Sequence, residues 1–246
     1  MKKIFPLFIL LTPFIVFAQS ESSIENRLLK SFSKIAQYNS DDVHYDSLQA
    51  FNDRFADLLI GTLNKYPQTI HYSFKKLKDA GLNITTSEDR KMRIYSWDDM
   101  QGGTMRFVNN VYQTQSGKAQ MIRSKNGDGF INSIDILKTS NTTYYLVSKM
   151  HKGSSALFLQ TMDIYKIDAK GNLIAAPIIK TSSRITNTLS CEVDYSARVN
   201  RSIDFIETAI VFVADKKEMH LPLIQADGKI TKAKIVYRFN GRVFER

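Results

Sequence analysis

The sequence predicts an α+β protein in which about three N-terminal helices cap a mainly antiparallel β-meander domain. Apolar residues first recur at helical spacing, up to about residue 80. From about Thr85 onward they alternate every second residue, which is typical of half-buried strands. Turn signals recur about every 11–17 residues through the rest of the chain, as in meanders, sandwiches and barrels.

The N-terminal part contains three amphipathic patterns. Ser22 and Glu25 match a capping box at the start of the first helix. Its apolar face consists of Ile24, Leu28, Leu29, Phe32 and Ile35. The second pattern ends at Pro67, and the third spans residues 68–80 and stops at Gly81, a common helix terminator. These helices need a common surface on which to bury their apolar faces.

The remainder predicts strands joined by hairpins. Turns are expected at Gly102-Gly103, Gly153, residues 168–172, residues 215–217, Asp227-Gly228 and Asn240-Gly241. The first of these separates strands predicted over residues 92–97 and 104–108. Three groups of about four strands emerge, so a propeller-like arrangement and a sandwich both remain open. The predicted organisation is a helical region at 19–84 and an antiparallel β-domain at 85–246.

Residues 1–18 are predicted to be a cleavable signal peptide. Lys2 and Lys3 precede an apolar run over residues 4–17, and Val16 and Ala18 provide small residues before the cut. The alternative, a membrane anchor, is disfavoured because the run contains two prolines and is shorter than the roughly 20 residues that cross a bilayer. The sequence therefore predicts a soluble protein of the periplasm or the extracellular space, with no membrane span.

Composition excludes several classes of protein. With 43% hydrophobic and 24% charged residues, the chain is not of the disordered type. Its only cysteine, Cys191, permits no internal disulfide, and its strand-like setting predicts a buried structural thiol. The net charge of +10 falls to about +8 without the leader and favours either anionic partners or a lysine-rich solvated surface.

The last predicted strand carries a basic face. Lys232, Lys234 and Arg238 share one side of it, and no aromatic residue lies among them. Such a face is more typical of an edge strand protected by lysines than of a surface for a nucleic acid. No nucleic-acid partner is therefore expected.

Residues 93–105 are the first candidate ligand loop. They hold the only tryptophan, Trp97, followed by Asp98, Asp99 and a glycine pair. In a functional interpretation, Trp97 offers a stacking platform and the two aspartates accept hydrogen bonds. The simpler interpretation, which we favour, is a tight hairpin whose Trp97 packs against the helices.

Asp128 belongs to a second candidate, residues 124–135, which imitates a calcium loop. The imitation is imperfect, because Ser124 stands at the first ligand position and Asp135 replaces the bidentate glutamate. The four histidines show no ligand spacing, and no nucleophile elbow, phosphate loop or dinucleotide fingerprint occurs. We therefore expect no metal and no cofactor, and the catalytic residues, if any exist, stay unknown.

Several segments resemble a group of uncharacterised exported proteins of Bacteroidetes-type bacteria. The likeness is carried by Ile84-Thr85-Thr86-Ser87-Glu88-Asp89, by the segment from Arg93 to Asp98 with Gly102-Gly103-Thr104, and by the ending from Tyr237 to Phe244. The resemblance implies a Gram-negative envelope or extracellular location, and it supplies no activity, cofactor or catalytic residue.

Two functions follow as hypotheses. The first is a non-catalytic binding module that recognises a protein or a glycan through loops of the β-domain. The alternative is a secreted hydrolase, directed at glycans, that uses the carboxylates of Asp98, Asp99 and Asp128.

Overall fold

A computed structural model describes residues 12–38, 45–122, 128–196, 200 and 210–246. Most of the predicted leader, residues 1–11, lies outside this part of the chain. The helices are α1 Thr12–Ala36, α2 Tyr45–Lys65, a 3₁₀ helix Pro67–His71 and α3 Lys75–Asp79. None of the helices described is both long enough and apolar enough to cross a membrane.

Fifteen strands follow within the described residues. They are β1 Asn83–Thr86, β2 Met92–Asp98, β3 Val108–Thr114, β4 Ala119–Met121, β5 Phe130–Lys138, β6 Thr143–Lys152, β7 Leu157–Ile167, β8 Leu173–Ala175, β9 Ile179–Lys180, β10 Ile185–Thr186, β11 Thr188–Asp194, β12 Val211–Val213, β13 Glu218–Ile224, β14 Ile230–Phe239 and β15 Phe244–Glu245. The order of helices then strands confirms the predicted α+β class.

The third predicted helix is broken in the structure. Instead of one helix over residues 68–80, the 3₁₀ helix and α3 are separated at Phe74, which adopts a left-handed backbone with φ of 48°. Gly81 follows α3 with φ of 100°, so the predicted stop is correct. The break turns α3 back toward α1.

Glu25 holds α3 against α1 and does not cap its own helix, which begins earlier than predicted, at Thr12. Its Oε1 accepts hydrogen bonds from the backbone N–H groups of Lys76 (2.8 Å) and Leu77 (3.3 Å), and its Oε2 accepts one from the Tyr72 hydroxyl (2.9 Å). A carboxylate at a helix start satisfies N–H groups that have no partner inside the helix. The capping residue predicted for α1 therefore caps α3.

Sheet A consists of β1 to β4 in chain order, all antiparallel. In its central hairpin Met92 pairs with Thr114 and Asp98 with Val108. The connection therefore spans residues 99–107, and the strand predicted over residues 104–108 begins only at Val108. This long connection, called the 99–107 loop below, takes the place of a tight glycine turn.

Two further sheets contain the other strands. Sheet B has the order β11-β7-β6-β5, with β8 beside β7, and sheet C has the order β10-β9-β15-β14-β13-β12. Every pair is antiparallel except β15 with β9. The predicted turns at Gly153, 168–172, 215–217, Asp227-Gly228 and Asn240-Gly241 each connect two of these strands.

Three apolar cores show how the layers stack. The first joins α1, α2 and α3 to one face of sheet A through residues such as Phe32, Phe55 and Trp97. The second joins the other face of sheet A to sheet B through Ile94 and Val147, among others. The third joins the far face of sheet B to sheet C. The chain is thus a helical layer on three stacked sheets, which fits the predicted sandwich.

Strand β14 carries the predicted basic face, and Lys232, Lys234 and Arg238 are exposed there. Strand β15 pairs with β14 at Arg238 and Phe239 alone, so among the described residues the stretch with Lys232 and Lys234 has a neighbour only in β13 and is an edge, as predicted. Arg238 instead lies between β13 and β15, which the sequence did not show because the two-residue strand β15 is too short to form a pattern. The free thiol of Cys191 is partly buried on β11, and burial raises its pKa.

Replacing Glu25 with alanine is expected to destabilise the folded chain by about 2 kcal/mol, since three donors lose their acceptor. Glu21→Ala, one turn earlier on α1, serves as the control and is expected to change stability by less than about 0.5 kcal/mol. Urea unfolding followed by circular dichroism measures both. Equal effects of the two substitutions would contradict the capping role of Glu25.

Candidate functional site

A cleft opens where the 99–107 loop meets the β6–β7 hairpin. It encloses about 540 Å³. Its lining residues are Asp99, Met105, Arg106, Phe107, Val108, Asn109, Asp128, His151, Lys152, Gly153, Leu157, Leu159 and Glu192. The cleft therefore contains two of the predicted site residues, Asp99 and Asp128, which are 29 positions apart in the sequence.

Hydrogen bonds fix the 99–107 loop at both ends. Asp98 accepts from the N–H of Met100 (2.8 Å), and its other oxygen lies 3.1 Å from the Arg106 guanidinium. The N–H of Arg106 donates to the carbonyl of Lys152 (3.1 Å), which ties the loop to the β6–β7 hairpin. A Cβ at Gly102 would collide with the carbonyl of Met105, so only glycine fits there. The two walls of the cleft are thereby joined.

Trp97 lies outside the cleft, in the helical core, where 1% of it is exposed. Its ring packs edge-to-face on Phe55, with centroids 4.9 Å apart, and its indole N–H donates to Asn52 Oδ1 (2.9 Å). Asn52 also donates to the carbonyl of Asp99 (3.0 Å). Trp97 therefore packs against the helices and is not a stacking platform in the cleft. Through Asn52 it anchors the start of the loop.

Asp99 and Phe107 are neighbours across the base of the loop. The N–H of Asp99 donates to the carbonyl of Phe107 (2.9 Å), one position beyond the paired residues Asp98 and Val108. Residues directly opposite each other in an antiparallel pair share a face, with Cβ atoms about 5 Å apart. Burial raises the pKa of Asp99, the hydrogen bond from Gln101 opposes the increase, and the charge of Asp98 adds to it. Asp99 and Phe107 are thus joined through the backbone, and both line the cleft.

A buried ion pair lies beneath the cleft. Lys149 on β6 is fully buried, and its Nζ lies 2.7 Å from Asp163 Oδ2 on β7 and 3.9 Å from Asp128 Oδ1. Burial alone would lower the pKa of Lys149, but the attraction of Asp163, with a smaller one from Asp128, outweighs it and leaves the pKa raised. Lys149 is therefore protonated at physiological pH.

The other groups around this pair keep it in place. Asp163 accepts a hydrogen bond from the Thr188 hydroxyl (2.6 Å) and a longer one from the Tyr165 hydroxyl (3.4 Å). Lys149 Nζ also lies 5.7 Å from the ring centre of Tyr112, within range of a cation–π contact. Burial raises the pKa of Tyr112 and that of Tyr165 well above the usual value, so both tyrosines stay neutral at physiological pH.

His151 lines the cleft beside Asp128. Its Nε2 lies 3.3 Å from the Thr161 hydroxyl, and 9% of the residue is exposed. Burial lowers the pKa of His151, and the nearby positive charge of Lys149 lowers it further. The imidazole is accordingly neutral at physiological pH and can both donate and accept a hydrogen bond.

The calcium-loop imitation falls partly outside the described residues, since residues 124–127 are not among them. The end of the motif, with Asp135, lies in strand β5, whereas a calcium loop of that type leads into a helix. Asp135 accepts a hydrogen bond from Ser133 (2.8 Å). Within the part of the chain that the structure describes, no three histidine, cysteine or acidic side chains converge as a metal site.

A larger cavity of about 630 Å³ lies beside the β7–β8 turn. It is lined mainly by hydroxyl and amide side chains, with Lys91, Lys170 and Asp168. The two lysines are exposed. None of the predicted site residues lines it, and no buried charged group faces it. We therefore take the smaller cleft as the candidate site.

The sequence missed four residues of the site: Phe107, Lys149, His151 and Asp163. The sequence contained a signal for two of these residues, Lys149 and Asp163. Both occupy inward positions of alternating strands, on the same faces as Val147 and Tyr165. A charged residue at such a position indicates a buried partner. No local pattern connects Phe107 with His151, because their presence in one cleft depends on how two hairpins dock.

No protein-family model, no curated protein and no solved structure matches the chain. The assignment of function therefore rests on the geometry and chemistry of the cleft.

Asp163→Asn is expected to destabilise the fold by about 3–5 kcal/mol, because it leaves the buried Lys149 cation without its main partner. The double variant Lys149→Met/Asp163→Asn removes both charges and is expected to recover most of that loss. Denaturant unfolding of the single and double variants measures the coupling. If the effects of the two substitutions simply add, the ion pair has no such role.

His151 makes the fold sensitive to mild acid. Its pKa lies below the ordinary 6.5 in the native state, so the unfolded chain binds the proton more readily. The free energy of unfolding should therefore fall as the pH drops from about 6.5 toward the lower native value. His151→Gln removes this contribution, and its unfolding free energy should depend less on pH over that interval. Parallel curves for the two proteins would contradict this.

Proposed function

We propose that the chain is an exported, non-catalytic binding module of the cell envelope or the extracellular space, and that its ligand occupies the cleft. The observation that carries this proposal is the exposure of apolar side chains at the mouth of the cleft. Phe107 is 51% exposed and Met105 is 46% exposed, although both belong to a loop that hydrogen bonds hold rigidly. Exposed apolar groups around a cavity are typical of binding sites.

The polar groups of the cleft support the same conclusion. Asp99, Asp128 and Asn109 supply acceptors or donors, and the neutral His151 supplies both. Polar groups held at fixed positions beside an apolar wall orient a ligand. A protein or glycan segment, with alternating polar and apolar parts, matches this arrangement.

Export supports this reading, since the predicted signal at residues 1–18 would deliver the chain to a compartment where it meets such ligands. The location in the periplasm or outside the cell is part of the proposal.

Binding is tested with arrays of oligosaccharides and of peptides, followed by calorimetry of the tightest ligand. Phe107→Ala is expected to weaken that ligand about tenfold, because an aromatic contact is lost. Ile185→Ala is the matched control, since Ile185 is also an exposed apolar residue, at 59%, and lies on β10 of sheet C. Neither change should alter thermal stability.

The proposal fails if the wild-type protein binds no member of either array. It also fails if Phe107→Ala and Ile185→Ala have the same effect on affinity, because the ligand then binds elsewhere.

The second candidate function is a glycan-directed hydrolase. One observation favours it: Asp99, whose pKa burial raises, lies in the same cleft as Asp128. A raised pKa suits a general acid, and a second carboxylate could then act as base or nucleophile. Asp98 is less suited than the sequence suggested, because its carboxylate pairs with Arg106 and does not line the cleft.

Hydrolysis is tested with reducing-end assays on neutral and acidic oligosaccharides. The hydrolase function predicts measurable turnover that falls by about 10²–10⁴ in both Asp99→Asn and Asp128→Asn. Turnover with these losses would replace the binding proposal. Absence of turnover across the panel, together with binding, would support the non-catalytic module.

A further inference from the structure

The described part of the cleft is acidic, although the whole chain is basic, with a net charge of +10. Among the described residues, five carboxylates line the cleft or lie directly behind it, against three cations. The carboxylates belong to Asp98, Asp99, Asp128, Asp163 and Glu192, and the cations belong to Arg106, Lys149 and Lys152. Charges on distant surfaces are screened over about 8–10 Å, so the local excess governs what binds in the cleft.

Asp99 has the clearest need of a positive partner. Arg106 already pairs with Asp98 at 3.1 Å, and Lys149 pairs with Asp163 at 2.7 Å. Among the described residues, no lysine, arginine or histidine forms an ion pair with Asp99. Its carboxylate is half-buried and accepts only the backbone hydrogen bond from Gln101 (2.9 Å). A cation brought by a ligand would compensate this charge.

Phe107 makes the same position favourable for a cation. Its exposed ring lines the same cleft as Asp99, and its carbonyl accepts the N–H of Asp99. An ammonium or guanidinium group over an aromatic face is attracted by the ring quadrupole. The carboxylate and the ring therefore offer a cation two favourable contacts in one cleft.

We propose that a lysine or arginine side chain of a partner protein enters the cleft and places its cation between Asp99 and the ring of Phe107. This rests on the proposed binding function and specifies its ligand. The aliphatic stem of the side chain lies against Met105, Leu157 and Leu159, which form the apolar wall. A flat sugar is less suited to this wall, because Phe107 is the one aromatic residue among the described lining residues.

The test uses two fluorescent hexapeptides of alternating alanine and lysine, identical except that one has acetylated lysines. Fluorescence anisotropy with the full chain measures both affinities at physiological salt. We expect the charged peptide to bind at least about tenfold more tightly, since acetylation removes the cation and leaves the stem.

Three variants locate the binding. Asp99→Asn should weaken the charged peptide about tenfold, and Phe107→Leu should weaken it about threefold, as lost ion-pair and cation–π contacts predict. Asp227→Asn is the matched control: Asp227 is exposed, and it accepts a hydrogen bond from the N–H two residues ahead, as Asp99 does. The control makes the same change in net charge and should leave affinity unchanged. Melting temperatures of all three variants verify that they fold.

The remaining outcomes separate this inference from the proposed function. Equal affinity for the two peptides, or equal losses in Asp99→Asn and Asp227→Asn, would overturn the cation site. Failure of both peptides to bind would overturn it as well. If a neutral oligosaccharide nevertheless binds and Phe107→Ala weakens it, the binding module stands with a different ligand class.

Affinity should also depend on pH in a direction set by Asp99. The site requires the ionised carboxylate, and burial places the pKa of Asp99 above its usual value. Affinity for the charged peptide should therefore decline as the pH falls toward that raised pKa, and it should decline less in the Asp99→Asn variant, in which only the protonation of His151 and the other acids of the cleft remains. A wild-type decline no steeper than that of the variant would contradict the role of Asp99.

Discussion

The buried pair of Lys149 and Asp163 constrains the register of β6 against β7, on the face of sheet B that packs against sheet A. Near Ile94 and Val147 the interface of the two sheets is apolar, and it becomes polar toward the cleft, where Lys149 lies beneath Asp128. A charged pair of this kind is stable in a protein interior only while its partners stay within contact. A one-residue slip of β6 against β7 would move Lys149 to the opposite face and break the pair. The ion pair thus fixes the register of β6 against β7, and the hairpin of these two strands forms one wall of the cleft.

Sheet B is covered on both faces, by sheet A on one side and sheet C on the other. With a single cysteine, the chain has no disulfide to hold these layers, so their cohesion comes from packing. The cleft lies at the end of this stack, where the 99–107 loop leaves sheet A and the β6–β7 hairpin leaves sheet B. Hydrogen bonds hold the 99–107 loop to this support at both ends, and a preorganised binding site requires such support because little ordering is then left to occur on binding.

Much of the fold could be predicted because its signals are local. Five of the predicted turns connect strands, and the apolar faces of Leu28 and Phe55 are buried as their spacing indicated. The errors occurred where tertiary contacts override local preference. Phe74 breaks the third helix, and Glu25 caps a neighbouring helix. Residues 104–107 of the strand predicted over residues 104–108 form a loop, in which the N–H of Arg106 donates to the carbonyl of Lys152, a residue distant in the sequence.

The candidate site was likewise predictable where its signals are local, and not where tertiary contacts decide the arrangement. Asp99 and Asp128 were identifiable as polar residues near turn glycines, but their shared cleft depends on the docking of two hairpins. Trp97 drew attention by its rarity, yet Phe107 is the exposed ring, because a ring on the helical side of sheet A is buried by Phe55 while one beyond the last paired residue is not. Position relative to the end of the sheet, more than residue type, decides which aromatic side chain a ligand can reach. Asp99 is half-buried and forms no ion pair among the described residues, so a cation bound in the cleft would offset the cost of its partial burial.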